Sequence, residues 1–124
     1  MPRTEAIDFS AYKLRDTAIL KINDPLGMPL IGPDGEQVTM EIYGPHTERF
    51  AQASKLLKHD LEDEEEKRLN TAEHLAHLVA DVAHFPYPGG AEAILKDRAF
   101  AFMVNQVHAH IFFLGNFWPG GGKS

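Results

Sequence analysis

Histidine and carboxylate side chains recur between residues 69 and 84, and these are side chains that readily bind a divalent metal ion. On a helix, His77, Asp81 and His84 would share one face, with His74 nearby. A catalytic or structural ion would also need a ligand from a second element, which the pattern does not indicate. A metal-dependent enzyme built on these four side chains is therefore a minor alternative. We assign no metal ligand and expect no cofactor.

The other patterns that can indicate catalysis or ion binding are incomplete. The acidic run Asp60–Glu66 lacks the alternating ligands and the glycine of a calcium loop, so a solvated helix face is the favoured interpretation. The terminal GGGKS matches the end of a phosphate-binding loop, but Phe117 occupies the position of the first glycine. The sequence contains no cysteine, no G-x-S-x-G and no dinucleotide-binding glycine motif. We expect no catalytic residues and no enzymatic activity.

Length and charge narrow the class of protein further. The 124 residues are enough for one domain with its own core. The net charge of −6 argues against binding to nucleic acid or to an anionic membrane, since both require a basic surface. The N-terminal residues contain no apolar signal segment, which predicts a cytoplasmic protein.

The first half of the chain predicts a β-hairpin. Residues 17–23 and 37–43 have strand composition, and Val38, Met40 and Ile42 alternate with polar neighbours. The connection Asp24–Glu36 is rich in proline and glycine, so it either protrudes as an arm or carries a short strand around residues 28–31. We expect it to be the most mobile internal segment. Residues 7–14 show no clear period, and their apolar side chains either add an edge strand or pack over the core.

The second half predicts helices. Apolar residues recur with helical spacing between residues 46 and 61, from Leu69 to His84, briefly from 91 to 96, and from Ala99 to Leu114. The fold class is therefore α+β, with an N-terminal β-hairpin, with or without an extra edge strand, followed by three or four helices. We expect the helical region 46–115 to form the core.

The last of these helices carries apolar residues on two sides. One stripe includes Met103, Val107 and Leu114, and the segment is too polar at its centre to favour a membrane span. Gly115 and Asn116 predict a left-handed cap that ends the helix. The second apolar side and the residues after the cap are the candidate partner-binding residues, namely Phe102, Phe112, Phe113, Phe117 and Trp118. For Phe102 and Phe113, burial within the helical cluster is an open alternative.

Three stretches of the chain resemble the tail assembly chaperone family of long-tailed bacteriophages and prophages. The first is the predicted hairpin that leads into Tyr43–Phe50, and the second is the acidic linker with the helix through Val82. The third comprises the short helix Ala91–Asp97 and the stretch from Val104 to the closing asparagine–phenylalanine. The chain departs from its relatives between residues 85 and 90, where a phenylalanine and a proline-rich turn replace a tryptophan and a longer glycine turn.

This resemblance implies a non-catalytic role in tail morphogenesis. Proteins of the family bind the tape-measure protein, help tail-tube proteins to gather around it in the host cytoplasm, and are absent from the mature virion. The alternative is a structural minor tail protein that stays in the particle. We expect residues 1–118 to form the domain and residues 119–124 a flexible tail. Gly121-Gly122-Lys123 is also compatible with the frameshift that gives some family members a longer form.

Overall fold

A computed structural model describes residues 9–119 of the chain. This part contains a three-stranded antiparallel sheet and four α-helices, so the α+β class is confirmed. The strands are β1 (Thr17–Lys21), β2 (Thr39–Tyr43) and β3 (Val79–Ala83), and the helices are α1 (Glu48–Ser54), α2 (Glu64–Ala76), α3 (Gly90–Lys96) and α4 (Ala101–Ile111). Short 3-10 helices span Phe9–Tyr12, Arg98–Phe100 and Leu114–Phe117. Of the expected tail 119–124, only Pro119 is described; residues 120–124, which include the expected frameshift site, lie outside the described residues, as do residues 1–8.

The predicted hairpin is confirmed and forms two adjacent strands of the sheet. β1 pairs antiparallel with β2, with Ala18 opposite Ile42 and Leu20 opposite Met40. Because side chains alternate along a strand, Met40 and Ile42 point into the core while Thr39 and Glu41 turn to the other face. The core is thus shared between sheet and helices, which corrects the expectation that residues 46–115 alone would form it.

The predicted helix Leu69–His84 is wrong in its second half. Helix α2 ends at Ala76, and the chain then forms β3, which pairs antiparallel with β2 and supplies the third strand of the sheet. The spacing of apolar residues fitted a helix, but the open edge of β2 satisfies the backbone of this segment as a strand. His77 is therefore a helix cap, and Asp81 lies on a strand. These side chains do not share a helix face, so the geometry assumed for a metal site is absent.

The connection between β1 and β2 is an arm held by backbone hydrogen bonds. Three residues are linked in a closed cycle of backbone hydrogen bonds of 2.8–3.0 Å. Ile22 N–H donates to Val38 O, Val38 N–H donates to Leu30 O, and Leu30 N–H donates to Ile22 O. The short strand expected around residues 28–31 appears only as single bridges, between Asn23 and Pro29 and between Ile31 and Gln37. These bonds tie the arm to the sheet at regular intervals.

Two side chains fasten the arm to the rest of the domain. The Gln106 amide on α4 accepts from the backbone N–H of Asn23 at 2.8 Å and donates to its carbonyl at 2.7 Å, so it acts as a strand-like partner. At the far side, His84 Nδ1 lies 2.7 Å from Asp34 Oδ2. The hydrogen bond with His84 lowers the pKa of Asp34, and the backbone N–H of Glu36 acts in the same direction.

The acidic run Asp60–Glu66 overlaps the start of α2. Asp63 caps it by accepting from the backbone N–H of Glu66 at 2.9 Å, and Glu64, Glu65 and Glu66 follow in the first turn, where carboxylates interact favourably with the helix dipole. Within α2, buried Asn70 accepts from the N–H of Lys58 and donates to the carbonyl of Leu56, at 2.8 Å each. The cap and this asparagine together fix the linker between α1 and α2.

Helix α4 is shorter than predicted and ends differently. Met103, Val107 and Ile111 are buried as the stripe predicts, but Leu114 is exposed. Gly115 does not adopt a left-handed conformation, and it lies with Asn116 in the 3-10 helix Leu114–Phe117, so the predicted cap is wrong. Among residues 9–119, no helix is both long and apolar enough to cross a membrane.

Candidate protein-interaction surface

The end of the described chain exposes several large apolar side chains in sequence. Phe112, Phe113, Leu114 and Trp118 are 56%, 64%, 48% and 43% exposed, and we call these four residues the aromatic surface. Isolated exposed apolar residues are common, but four within one short segment are characteristic of an interaction site. The sequence indicated three of them, whereas Leu114 was expected to be buried because it continued the core stripe.

Phe117, predicted as a contact residue, is instead fully buried. Its ring lies edge-on to His46 on one side and to His110 on the other, with centroids 5.7 and 5.6 Å away. Its carbonyl accepts a 2.7 Å hydrogen bond from the backbone N–H of Arg15, so the segment is also held through its main chain. A buried ring cannot contact a partner, and Phe117 serves to anchor the segment that carries the aromatic surface.

Local contacts restrict the exposed rings on either side of this anchor. Phe112 lies edge-on to Phe50 at 6.1 Å and tilts against His108 at 5.1 Å. Phe113 packs so closely over Gly115 that a Cβ there would lie 2.8 Å from its ring. Both rings are therefore positioned before any partner arrives, which lowers the entropy cost of binding.

Phe102, also predicted as a contact, belongs to a different cluster. Its ring is half-buried beside Phe100, which in turn contacts Phe85 and Tyr87. Phe102 and Phe112 are separated along α4 by about 15 Å, given the rise of a helix. The structure thus brings together Phe112, Phe113 and Trp118 and leaves Phe102 apart from them.

A groove of about 410 Å³ lies between α2, the end of α3 and α4. Its walls carry Arg68 and Arg98, but Glu65 binds both guanidinium groups. The hydrogen bond from Arg68, more than that from Arg98, lowers the pKa of Glu65 to about 2. Glu65 thus neutralises both cations at this groove, and Asp97, which also lines it, accepts hydrogen bonds from the Tyr87 hydroxyl and the Ala99 N–H.

His110 is a buried polar residue beneath the aromatic surface. Among the described residues, no hydrogen-bond partner reaches its Nε2 atom. Burial lowers the pKa of His110, and a backbone hydrogen bond with Ala18 opposes this shift. Burial thus favours the neutral form of this imidazole, which lies against the ring of Phe117.

We expect the domain to lose stability in mild acid because of His110. Its native pKa lies below the ordinary value of 6.5, so the unfolded chain binds a proton more readily than the folded one. The neutral histidine therefore contributes fully above that ordinary value, and its contribution falls as the pH drops. Urea unfolding between about pH 5.5 and pH 8 should show this slope, and His110→Leu should flatten it. The exposed His108→Leu is the control, and an unchanged slope in His110→Leu would contradict the prediction.

Comparisons with protein-family models, curated proteins and solved structures found no match to this chain. Among residues 9–119, no three histidine, aspartate or glutamate side chains are grouped so as to hold a metal ion. In the described part of the chain, the exposed apolar residues on the anchored end segment, Phe112, Phe113, Leu114 and Trp118, form the candidate interaction surface.

Proposed function

We propose that this protein is a tail assembly chaperone of a long-tailed bacteriophage or prophage. It binds the tape-measure protein through the aromatic surface and helps to recruit tail-tube subunits, without catalysing a reaction. The observation that carries this proposal is the exposure of Phe112, Phe113 and Trp118 on a segment that is anchored by a buried ring. The sequence resemblance to the chaperone family supplies the identity of the partner.

The physical properties of the surface suit the shielding of an apolar segment. Aromatic side chains offer a large contact area with few rotatable bonds, so they bind varied apolar partners at low entropy cost. The net charge of −6 is borne mainly by other parts of the chain and opposes self-association while the apolar surface is uncovered. A protein of this kind can keep an insoluble partner in solution until assembly replaces it.

A structural minor tail protein is the second candidate, because the same surface would serve a permanent contact. The two functions differ in the fate of the protein. A chaperone acts in the host cytoplasm and is missing from the finished particle, whereas a minor tail protein remains there. Mass spectrometry of purified virions distinguishes the two, since detection of this chain at structural stoichiometry would contradict the chaperone function.

Replacing Phe113 and Trp118 together by serine should weaken binding to the tape-measure protein by about ten- to a hundredfold. Phe113 is mostly exposed and Trp118 partly so, and the midpoint of thermal unfolding should therefore move little. Co-expression followed by co-purification and titration calorimetry measures the binding. Leu26→Ser with Met28→Ser on the arm is the matched control, because those residues are also apolar and exposed. Full binding by the Phe113 and Trp118 variant would contradict the proposal.

A further inference from the structure

Within the described residues 9–119, one edge of strand β1 pairs with no other strand. Gly44 N–H donates to Asp16 O at 3.0 Å and Ile22 N–H to Val38 O at 2.9 Å, which fixes the alternation of the β1–β2 ladder. The even-numbered residues of β1 therefore bond to β2, and Thr17, Ile19 and Lys21 direct their backbone groups outward. Among residues 9–119, no hydrogen bond reaches the outward backbone groups of these three residues. The edge can accept a further strand.

Two of the usual protections of an edge strand are missing from β1, while the 3-10 helix Leu114–Phe117 lies against its start. Natural sheets protect their edges with a proline, a bulge or a covering element. β1 contains no proline, its pairing with β2 is regular, and Ile19 at its centre is 57% exposed. The opposite edge strand β3 has an irregular register near Glu41 and lies against α3. In the described part of the chain, the outward backbone groups of Thr17, Ile19 and Lys21 are therefore open, whereas the N–H of Arg15 just before them is bound to Phe117 O.

The charges around this edge are mostly positive, although the whole chain carries −6. Lys13 and Arg15 precede β1 and Lys21 ends it, and none of the three forms an ion pair within the described residues 9–119. Two carboxylates lie nearby: Asp16 beside the start of the strand, and Glu41, which accepts a hydrogen bond from the Thr17 hydroxyl. Basic side chains therefore lie before and at the end of the strand, and the apolar side chain of Ile19 lies between them.

We propose that β1 binds an extended segment of a partner protein as a fourth strand of the sheet. The segment has an apolar centre that covers Ile19 and carboxylates at both ends that pair with the three cations. β1 lies against the 3-10 helix Leu114–Phe117, so a strand on this edge runs beside Leu114 of the aromatic surface. The proposal stands on the backbone and charges of β1 and does not depend on the partner named under the proposed function.

A second copy of this chain fits the edge less well. Pairing β1 with itself would bring three further cations to the edge and only the two carboxylates Asp16 and Glu41 with them, one of which already accepts from Thr17. Main-chain pairing gives affinity in such complexes, while complementary side chains decide which segment binds. A segment with acidic ends satisfies both requirements.

The test uses synthetic peptides of about nine residues, a usual strand length. The probe alternates valine and threonine and carries aspartate and glutamate at both ends. One control peptide has lysine at both ends, and a second is N-methylated throughout its centre and cannot pair as a strand. With the unmodified protein, we expect NMR shifts centred on residues 17–21 with the acidic probe. Binding should be about tenfold or more weaker for the lysine peptide and undetectable for the methylated one.

Two variants of the protein test the same edge by changing β1 instead of the peptide. Ile19→Pro removes an outward N–H and leaves the bonds to β2 intact, a position where an edge strand tolerates proline. Ile19→Thr changes the side chain but keeps that N–H and serves as the matched control. We expect the acidic probe to bind Ile19→Thr and not Ile19→Pro. The experiment with the methylated peptide needs no variant, so it decides the question even if the proline variant fails to fold.

Three results would overturn the proposal. The first is equal binding of the acidic and N-methylated peptides, and the second is full binding by folded Ile19→Pro. The third is slow exchange of the Ile19 amide in the free protein, which would show that another segment or a second copy already occupies the edge. Sedimentation analysis then separates a second copy from a segment of the same chain.

Discussion

Phe117→Ala is expected to lower the free energy of unfolding by about 3–5 kcal/mol, as for other fully buried phenylalanines. The ring has no exposed surface and lies between His46 and His110, so its removal leaves a cavity that these two rings cannot close. It also lies against Gly44, where a Cβ would come within 3.2 Å of the ring. This tight packing leaves little room for the site to collapse.

The neighbouring residue supplies the control. Trp118 is larger but partly solvated, so Trp118→Ala should cost clearly less stability while removing part of the aromatic surface. Urea unfolding of both variants followed by far-ultraviolet circular dichroism measures the difference. If Phe117→Ala were as stable as the parent protein, the anchoring of the aromatic surface by this ring would be wrong.

Gly32→Ala should cost about 2–4 kcal/mol, because the backbone of the arm and the end of β3 meet at this glycine. A Cβ at Gly32 would lie 1.8 Å from the carbonyl oxygen of His84, and a backbone atom cannot rotate away as a side chain can. His84 itself has a positive φ of 67° and contacts Asp34 on the arm. Relief of the clash therefore requires the arm to move and that contact to break.

Gly35 on the same arm provides the comparison. It has a φ of 85°, but a Cβ there would meet no heavy atom within 4 Å. Gly35→Ala should cost only the strain of a left-handed alanine, about 1–2 kcal/mol. Denaturant unfolding gives the two costs, and amide exchange of Leu30 and Val38 reports whether the arm has separated from the sheet. Equal costs for the two variants would contradict the role of Gly32 in close packing.

Phe117 connects stability with the proposed function. The same ring that fills the space between His46 and His110 holds the backbone from which Phe113 and Trp118 project. Variants of the exposed rings should therefore affect binding alone, whereas variants of the buried one should affect both binding and stability. This difference allows the surface and its support to be separated by experiment.

The sequence alone determined those features that depend on local periodicity. The alternation around Met40 identified β2 and its buried face, because successive strand residues point to opposite sides. The spacing of Met103, Val107 and Ile111 identified the buried face of α4 for the corresponding reason in a helix. The acidic run before α2 was correctly assigned to a solvated position. Each of these inferences needs only the near neighbours of a residue along the chain.

The tertiary structure decided the features that depend on distant segments. Val79–Ala83 fits a helix or a strand by its own pattern, and it became a strand because β2 offered an unpaired edge from the first half of the chain. Phe117 follows a glycine and an asparagine and precedes a glycine run, so its surroundings in the sequence indicated exposure. It is buried because two residues far away along the chain contact it. The ring of His46 packs against the ring of Phe117, and the backbone N–H of Arg15 donates to its carbonyl. The local sequence pattern limits which structures a segment can form. Contacts with distant residues select among these structures, because those contacts determine which backbone groups and side chains become buried.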